Sequence, residues 1–415
     1  MIDPTPHLER FTSYAEASRE FQWSIPERMN LAAEILRRHP DPVTRIALKE
    51  NKFGGINTYT FGGLDFLSDK FANALSQCEI NARSKVIIAL PPSAALAVAQ
   101  LGCLKTASVV VPISPFSNPT LIEHVINTTH SSAIILEESV SASLGDIVRF
   151  PADITRFEVR DLRPTANATA STKDFWTEID RCSSDFEPLE VHSESPAFIF
   201  FIERNDERVG VVHSVRSVIG QLAAFEFFTK KEGPAAQTRK ARRLHSQQAS
   251  VYWAGAEWSS VFSLLGVLYP AWWYGCSVIV NATGDSSFTQ TLKDCEATDF
   301  FVTASTQSTI PPAHRAQPYE LYGTAETGWI FGFSEKWTGS HAERSCRVVP
   351  GRSIEIIDSE GQVLRSNTIG QIAVHRSDVG LFSEYAGASE APAGDWLLIG
   401  KSGYKDETGE LHIES

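Results

Sequence analysis

Through the first third of the chain the apolar positions switch between helical and extended spacing. Leu64, Leu67, Phe71, Ala74 and Leu75 fall on one helical face. Val86-Ile87-Ile88-Ala89-Leu90 follows as an uninterrupted apolar run, which suits a strand covered on both faces. Ser93 stands where an N-cap serves the next helix, Leu96 to Leu104, and Val109-Val110-Val111 is a second strand. Pro119 opens another helix ending near Thr128, since its missing N–H is one the first turn leaves unbonded anyway; Ala133-Ile134-Ile135-Leu136 is a third strand. This alternation predicts a doubly wound, parallel α/β sheet.

From about Pro164 to Glu190 the sequence is polar and turn-rich, which predicts a boundary. A strand from Ala197 to Phe201 and a helix from Val215 to about Phe228 open the middle third, which runs on through Phe300-Phe301-Val302. Val261 to Val280 carries no charge and is long enough to span a bilayer. Gly266, Pro270 and Gly275 favour instead a buried helix to Tyr274, a stop at Gly275 and a strand from Cys276 to Val280. After Cys346 the texture changes to short strands, Ile354 to Ile357 and Gln371 to Val374, with Asp358, Gly361 and Gly370 as turn residues. The expected division is 1–170 and 171–345 as two α/β subdomains and 346–415 as a small β subdomain.

A net charge of −13 gives no diffuse attraction to phosphate backbones, so nucleic acid is not an expected partner. Lys230, Lys231, Arg239, Lys240, Arg242 and Arg243 make one basic stretch, read as a solvated loop or a dock for an acidic partner. Cys78, Cys103, Cys182, Cys276, Cys295 and Cys346 are scattered without metal-ligand spacing, which suits reduced thiols in a cytoplasmic protein. Met1-Ile2-Asp3-Pro4-Thr5-Pro6 shows no secretory signal.

Several segments, in this order, resemble the AMP-forming acyl-CoA synthetases of the adenylate-forming superfamily: Phe21 to Asn30, Tyr59-Thr60-Phe61, Val110-Val111-Pro112, Pro350-Gly351 and Gly370-Gln371-Ile372. The most specific is Tyr322-Gly323-Thr324-Ala325-Glu326-Thr327. The resemblance implies that Tyr322 stacks on adenine, Thr324 bonds the α-phosphate and Glu326 holds Mg²⁺, roles that suit a flat ring, a hydroxyl and a carboxylate. Trp253, Trp258 and Phe262, with the run to Tyr274, resemble the acyl-pocket wall of the aromatic and medium-chain branch; a Trp-rich helix serving as core is the alternative. The implied fold is two doubly wound α/β subdomains and a small β-barrel subdomain, without the family's mobile C-terminal domain.

Three departures from the family pattern follow. Its phosphate loop of Ser, Thr and Gly, ending in Pro-Lys-Gly, presents converging N–H groups. Here the flanks Ala197-Phe198-Ile199-Phe200 and Gly210-Val211-Val212-His213-Ser214 enclose Phe201-Ile202-Glu203-Arg204-Asn205-Asp206-Glu207-Arg208-Val209, with Val209 in the lysine position. Glu203, Asp206 and Glu207 would oppose a polyphosphate, a like-charge pair at about 4 Å costing on the order of 4 kcal/mol at an effective dielectric of about 20; Arg204 and Arg208 offset part of this. Lys401 replaces the acid that accepts the ribose hydroxyls, and an ammonium cannot accept. The chain stops at Ser415, near the family's hinge, and the region between Val302 and Tyr322 is short, keeping Ile310 to Arg315.

The leading expectation is an acyl- or partner-binding pseudoenzyme deficient in ATP-driven adenylation. The alternatives are an acyl-CoA ligase-like or acyltransferase enzyme using a preformed thioester or adenylate, or a C-terminal domain supplied by a partner, and a structural subunit dimerising with an intact homologue. His213 and His314 are the candidate bases. Ligands compatible with the resemblance are an acyl or aryl acid, a CoA thioester, and AMP or ATP with Mg²⁺; a carrier protein and a homo- or heterodimer are the protein partners considered.

Overall fold

The computed structural model describes residues 2–52, 55–144, 147–160, 172–204, 206–229, 250–253, 257–281, 288–300, 321–332, 346–388 and 394–414. An eight-stranded sheet runs in the order Glu384–Ala386, Glu207–Ser214, Pro196–Arg204, Val109–Pro112, Lys85–Ala89, Ala133–Glu137, Thr155–Val159, Thr172–Asp174. Pairing is parallel from Pro196–Arg204 onward and antiparallel at the end that carries Glu207–Ser214 and Glu384–Ala386. A five-stranded sheet is ordered Asp299–Phe300, Val251–Trp253, Ser277–Asn281, Ile46–Lys52, Gly55–Thr60. Both sheets draw strands from residues 1–170 and from residues 171–345, so the two layers interleave along the chain. Residues 172–181, expected as part of a turn-rich boundary, instead form the edge strand Thr172–Asp174 and the helix Phe175–Arg181, capped by Asp174.

The continuous apolar run at 86–89 has a structural cause: its alternate residues enter different cores. Val86 and Ile88 pack in one cluster and Ile87 and Ala89 in another, all fully buried. Each such Val or Ile contributes about 1.5–3 kcal/mol by leaving water. The helix Ala94–Lys105 starts at Ser93, whose hydroxyl accepts from the Leu96 N–H, and every one of its residues is buried. It has no polar face because it shares one core with strand residues of both sheets, Val86 and Val110 on one side and Leu48 and Val278 on the other. Its buried cation Lys105 is met by Asp65 at 2.6 Å and Asp69 at 2.5 Å.

The uncharged run at 261–280 folds as helical turns from Val261 to Trp273, with a π-helical stretch at Leu264–Leu268, and then the strand Ser277–Asn281. Gly275 takes φ +72°, and the N–H groups of Gly275 and Cys276 reach the carbonyls of Trp272 and Ala271. That is the Schellman stop, and it needs glycine for its left-handed residue. Trp272 donates from its indole to Ala47 O at 2.9 Å, tying the helix to the five-stranded sheet. No helix among the described residues is long and apolar enough to cross a membrane.

A three-stranded antiparallel sheet, Leu321–Thr324, Gly328–Gly332 and Arg347–Val348, and a four-stranded one, Ile354–Ile357, Gly370–His375, Trp396–Lys405 and Leu411–Ile413, complete the architecture. They share a core with Val211 of the eight-stranded sheet through Ile330, Phe331, Ile354, Ile372 and Val374. Gly361 takes φ +81° in its turn, after Asp358, whose carboxylate accepts from the N–H groups of Glu360 and Gln362. Gly370, expected in a turn, lies at the start of a strand; a Cβ there would meet Ile357 O at 2.6 Å.

Candidate functional site

Two hairpins face each other where the resemblance places nucleotide. The first is Pro196–Arg204 with Glu207–Ser214, in register from Phe198↔His213 to Arg204↔Glu207. Only residues 205 and 206 lie between the strands, with Asp206 at φ +63°. Segment 201–209 is therefore not a loop around an anion. In an extended ladder successive N–H groups point to opposite edges, so they do not converge as an anion nest requires. The β-branched and aromatic run from Phe198 to Ile202 explains why the ladder extends this far.

The carboxylates at its tip matter less than the sequence suggested. Glu203, Asp206 and Glu207 are exposed, and Glu203 lies 3.6 Å from Arg208. Solvent screens such charges, so repulsion of a polyphosphate is a minor effect. Val209, in the lysine position, is 2% exposed on the face shared with Ile202, Arg204 and His213.

The second hairpin, Leu321–Thr324 with Gly328–Gly332, carries the motif. Tyr322 stacks on its cross-strand neighbour Phe331, centroids 5.2 Å apart and planes 21° from parallel. The Thr324 N–H donates to the Thr327 hydroxyl at 2.9 Å, and the Glu326 N–H donates to the Thr324 hydroxyl. Gly323 is required because Gly328 O occupies the space a Cβ would fill. Gly328 takes φ +58° and lies against the Gln221 side chain. Gln221 clamps the turn, donating to Thr327 O at 3.0 Å and accepting from the Trp329 N–H at 2.9 Å.

Glu326 is the motif's carboxylate, and it already has a partner. The Tyr385 hydroxyl donates to Glu326 Oε1 at 2.8 Å, and the Phe382 N–H donates to Glu326 O. Burial, then the Glu326 charge, pushes the Tyr385 hydroxyl well above the usual phenol range. His213 is 1% exposed, and its Nε2–H donates to Ala325 O at 2.7 Å while Nδ1 lies 3.0 Å from the Ser217 hydroxyl. Burial lowers its pKa to about 4. His213 is thus held neutral and buried between the two hairpins, with both ring nitrogens engaged.

Behind the turn lies an ion pair the sequence did not reveal. Arg352 and Asp378 are fully buried, 2.8 Å apart, and Arg352 also donates to Thr327 O and Trp329 O. Asp378 accepts from the N–H groups of Ser353 and Gly380. Partners so distant in sequence leave no periodic signal.

The remaining expected residues are dispersed. Trp258 packs at right angles to Trp272 in the main core, Phe262 lies 4.2 Å from the Trp329 ring, and Trp253 packs against a third cluster around Ile279. Lys401 is exposed on the irregular stretch of Trp396–Lys405 where the register with Gly370–His375 shifts. His314, Ile310 to Arg315, Phe301-Val302 and the basic stretch 230–243 lie outside the described residues. A groove of about 640 Å³ between the helix Tyr14–Glu20 and the four-stranded sheet is lined in part by Pro350 and Gly351 but by none of Tyr322 to Thr327. Among the described residues no group of three His, Cys, Asp or Glu side chains is placed to hold a metal.

Against an ATP–magnesium complex these residues fit in part. The turn that carries Tyr322, Thr324 and Glu326 is formed, but the described residues of the facing hairpin offer no converging donors for a triphosphate, and Glu326 is engaged by Tyr385.

The family model described as AMP-binding enzyme matches residues 34–201. The mitochondrial acyl-coenzyme A synthetase ACSM3 of Rattus norvegicus is 23% identical over 460 residues, covering 97% of this chain and 74% of that protein. Among solved structures, an acyl-CoA synthetase of Brucella canis superposes with a TM-score of 0.80 at 15% identity, covering 98% of this chain and 80% of its own. The anthranilate CoA ligase AuaEII, in complex with anthranoyl-AMP, gives 0.74 at 15% identity, covering 94% of this chain and 77% of its own. With the sheet architecture and the formed Tyr322–Thr327 turn, these likenesses lead to one conclusion: residues 34–201 match the AMP-binding enzyme family model, and the chain has the fold of the N-terminal body of acyl-CoA synthetases.

Proposed function

We propose that this chain binds an acyl or aryl acid, its thioester or a protein partner on an acyl-CoA synthetase scaffold, and does not drive adenylation with ATP. The observation that carries the reading is the closed hairpin at 196–214, where the resemblance implies a phosphate-wrapping loop. An ATP-dependent ligase must bind the β- and γ-phosphates to expel pyrophosphate, and an extended ladder lacks the convergent donors to do so. Titration calorimetry with ATP and Mg²⁺ tests this: no saturable, magnesium-dependent heat is expected, and a sub-millimolar affinity that depends on Glu326 overturns it.

The intact Tyr322–Thr327 turn favours one second reading, transfer of an acyl group from a preformed thioester or adenylate. Incubating the purified protein with acyl-CoA or acyl-adenylate and following product separates the two: turnover supports transfer, and none supports binding alone. In either case we place the protein in the cytoplasm, because its six cysteines are scattered without the spacing of a disulfide framework or a metal site.

A further inference from the structure

Among the described residues, two arginines stand without a counter-ion: Arg204 at the tip of the 196–214 hairpin and Arg376 just past the strand Gly370–His375. Arg204 lays its guanidinium over the Tyr385 ring, 4.6 Å from the centroid. Arg376 sits 5.8 Å from the centroid of Phe382, and the Phe382 and Tyr385 rings are 4.5 Å apart. The two cations thus flank one aromatic platform and feel each other. Burial, with a contribution from the Arg204 charge, lowers the proton affinity of Arg376, opposite to the usual ion-paired arginine.

Among the described residues neither guanidinium lies within ion-pair distance of a carboxylate, and the Arg376 Nε is buried with no hydrogen-bond partner. Glu207 lies across the ladder from Arg204, Glu326 takes the Tyr385 hydroxyl, and Asp395 meets Arg376 through its backbone carbonyl. In a chain of net charge −13, two adjacent uncompensated arginines are unusual, and leaving a buried guanidinium donor unmet is costly.

We propose that Arg204 and Arg376 form a binding site for a phosphoryl dianion, the charge that two guanidinium forks match and the oxygen geometry they bond best. The site differs in kind from a glycine nest: its donors are side chains, and it is sized for one phosphoryl group rather than a triphosphate. It rests on the reading that the wrapping loop is gone, but it is tested without ATP.

The experiment is calorimetric titration of the full chain with inorganic phosphate at pH 8 and fixed ionic strength, with chloride as control. Saturable binding is expected for phosphate only, weakened about tenfold or more in Arg204→Gln and in Arg376→Gln, since each removes a charge-assisted fork. Arg204→Lys keeps the charge without the fork and falls between. Arg204 is exposed, so its variants do not depend on the fold surviving a core change. A parallel AMP titration with the same arginine dependence identifies an ester phosphate as ligand, whereas binding of phosphate alone identifies the free oxyanion. No saturable heat with phosphate, or affinities unchanged in both Gln variants, overturns the site. Neither of those results touches the proposal about adenylation, which fails only on ATP binding that requires Mg²⁺ and Glu326.

Discussion

Tyr385 lies on the eight-stranded sheet and Glu326 in the turn between two strands of the three-stranded one, and a 2.8 Å hydrogen bond from the phenol to the carboxylate joins them. Tyr385 belongs to the short edge strand Glu384–Ala386, which the small β region sends onto the eight-stranded sheet beside Glu207–Ser214. The bond therefore locks the motif turn to the first hairpin through a third element. Removing the hydroxyl in Tyr385→Phe is expected to cost about 1.5 kcal/mol, as for a hydrogen bond to a charged acceptor. Urea unfolding measures it, and a loss near zero would show that the bond does not restrain the turn.

His213 makes stability depend on pH. Its folded pKa is lowered to about 4 by burial, against 6.5 unfolded, so the unfolded chain takes up the proton first. The stabilisation is complete above pH 6.5 and is lost progressively as pH falls from 6.5 towards 4. The full loss is about 3 kcal/mol, to order of magnitude. His39, lowered to about 4 chiefly by burial, acts in the same window, so the diagnostic is a difference. Unfolding free energies of wild type and His213→Gln between pH 7 and pH 5 are expected to show a shallower slope in the variant; equal slopes contradict the assignment.

The Arg352–Asp378 pair holds the carbonyl side of the motif hairpin. Arg352→Met leaves a buried carboxylate facing apolar surroundings and frees two carbonyls, so about 3–5 kcal/mol of stability is expected to go. Asp378→Asn keeps the shape and part of the bonding and is expected to cost less. Chemical denaturation of the two variants checks the order, and a nearly neutral Arg352→Met would place the rigidity of the turn elsewhere.

Local chemistry was legible in the sequence wherever one residue type had one use. Ser93 as a cap, Gly275 as a stop and the two-sided apolar run at 86–89 all read directly, because each reflects a constraint within a few residues. The interleaving of the two large sheets was not legible, since parallel partners such as Leu48 and Val278 are set by packing across the chain. The hairpin at 196–214 was half legible. The loss of glycine and lysine and the strand from Ala197 to Phe201 showed in the sequence, but the pairing that carries the ladder on to Arg204 and Glu207 did not, because it is set by cross-strand contacts. Tyr385, Arg376 and the Arg352–Asp378 pair gave no sequence signal because their partners lie on other elements.

The proposal that the chain does not cradle a triphosphate is tested most directly by calorimetric titration of the full chain with ATP in the presence of Mg²⁺, beside Glu326→Gln. The account predicts no saturable, magnesium-dependent heat in either protein. A sub-millimolar dissociation constant in the wild type, abolished in Glu326→Gln, would contradict it.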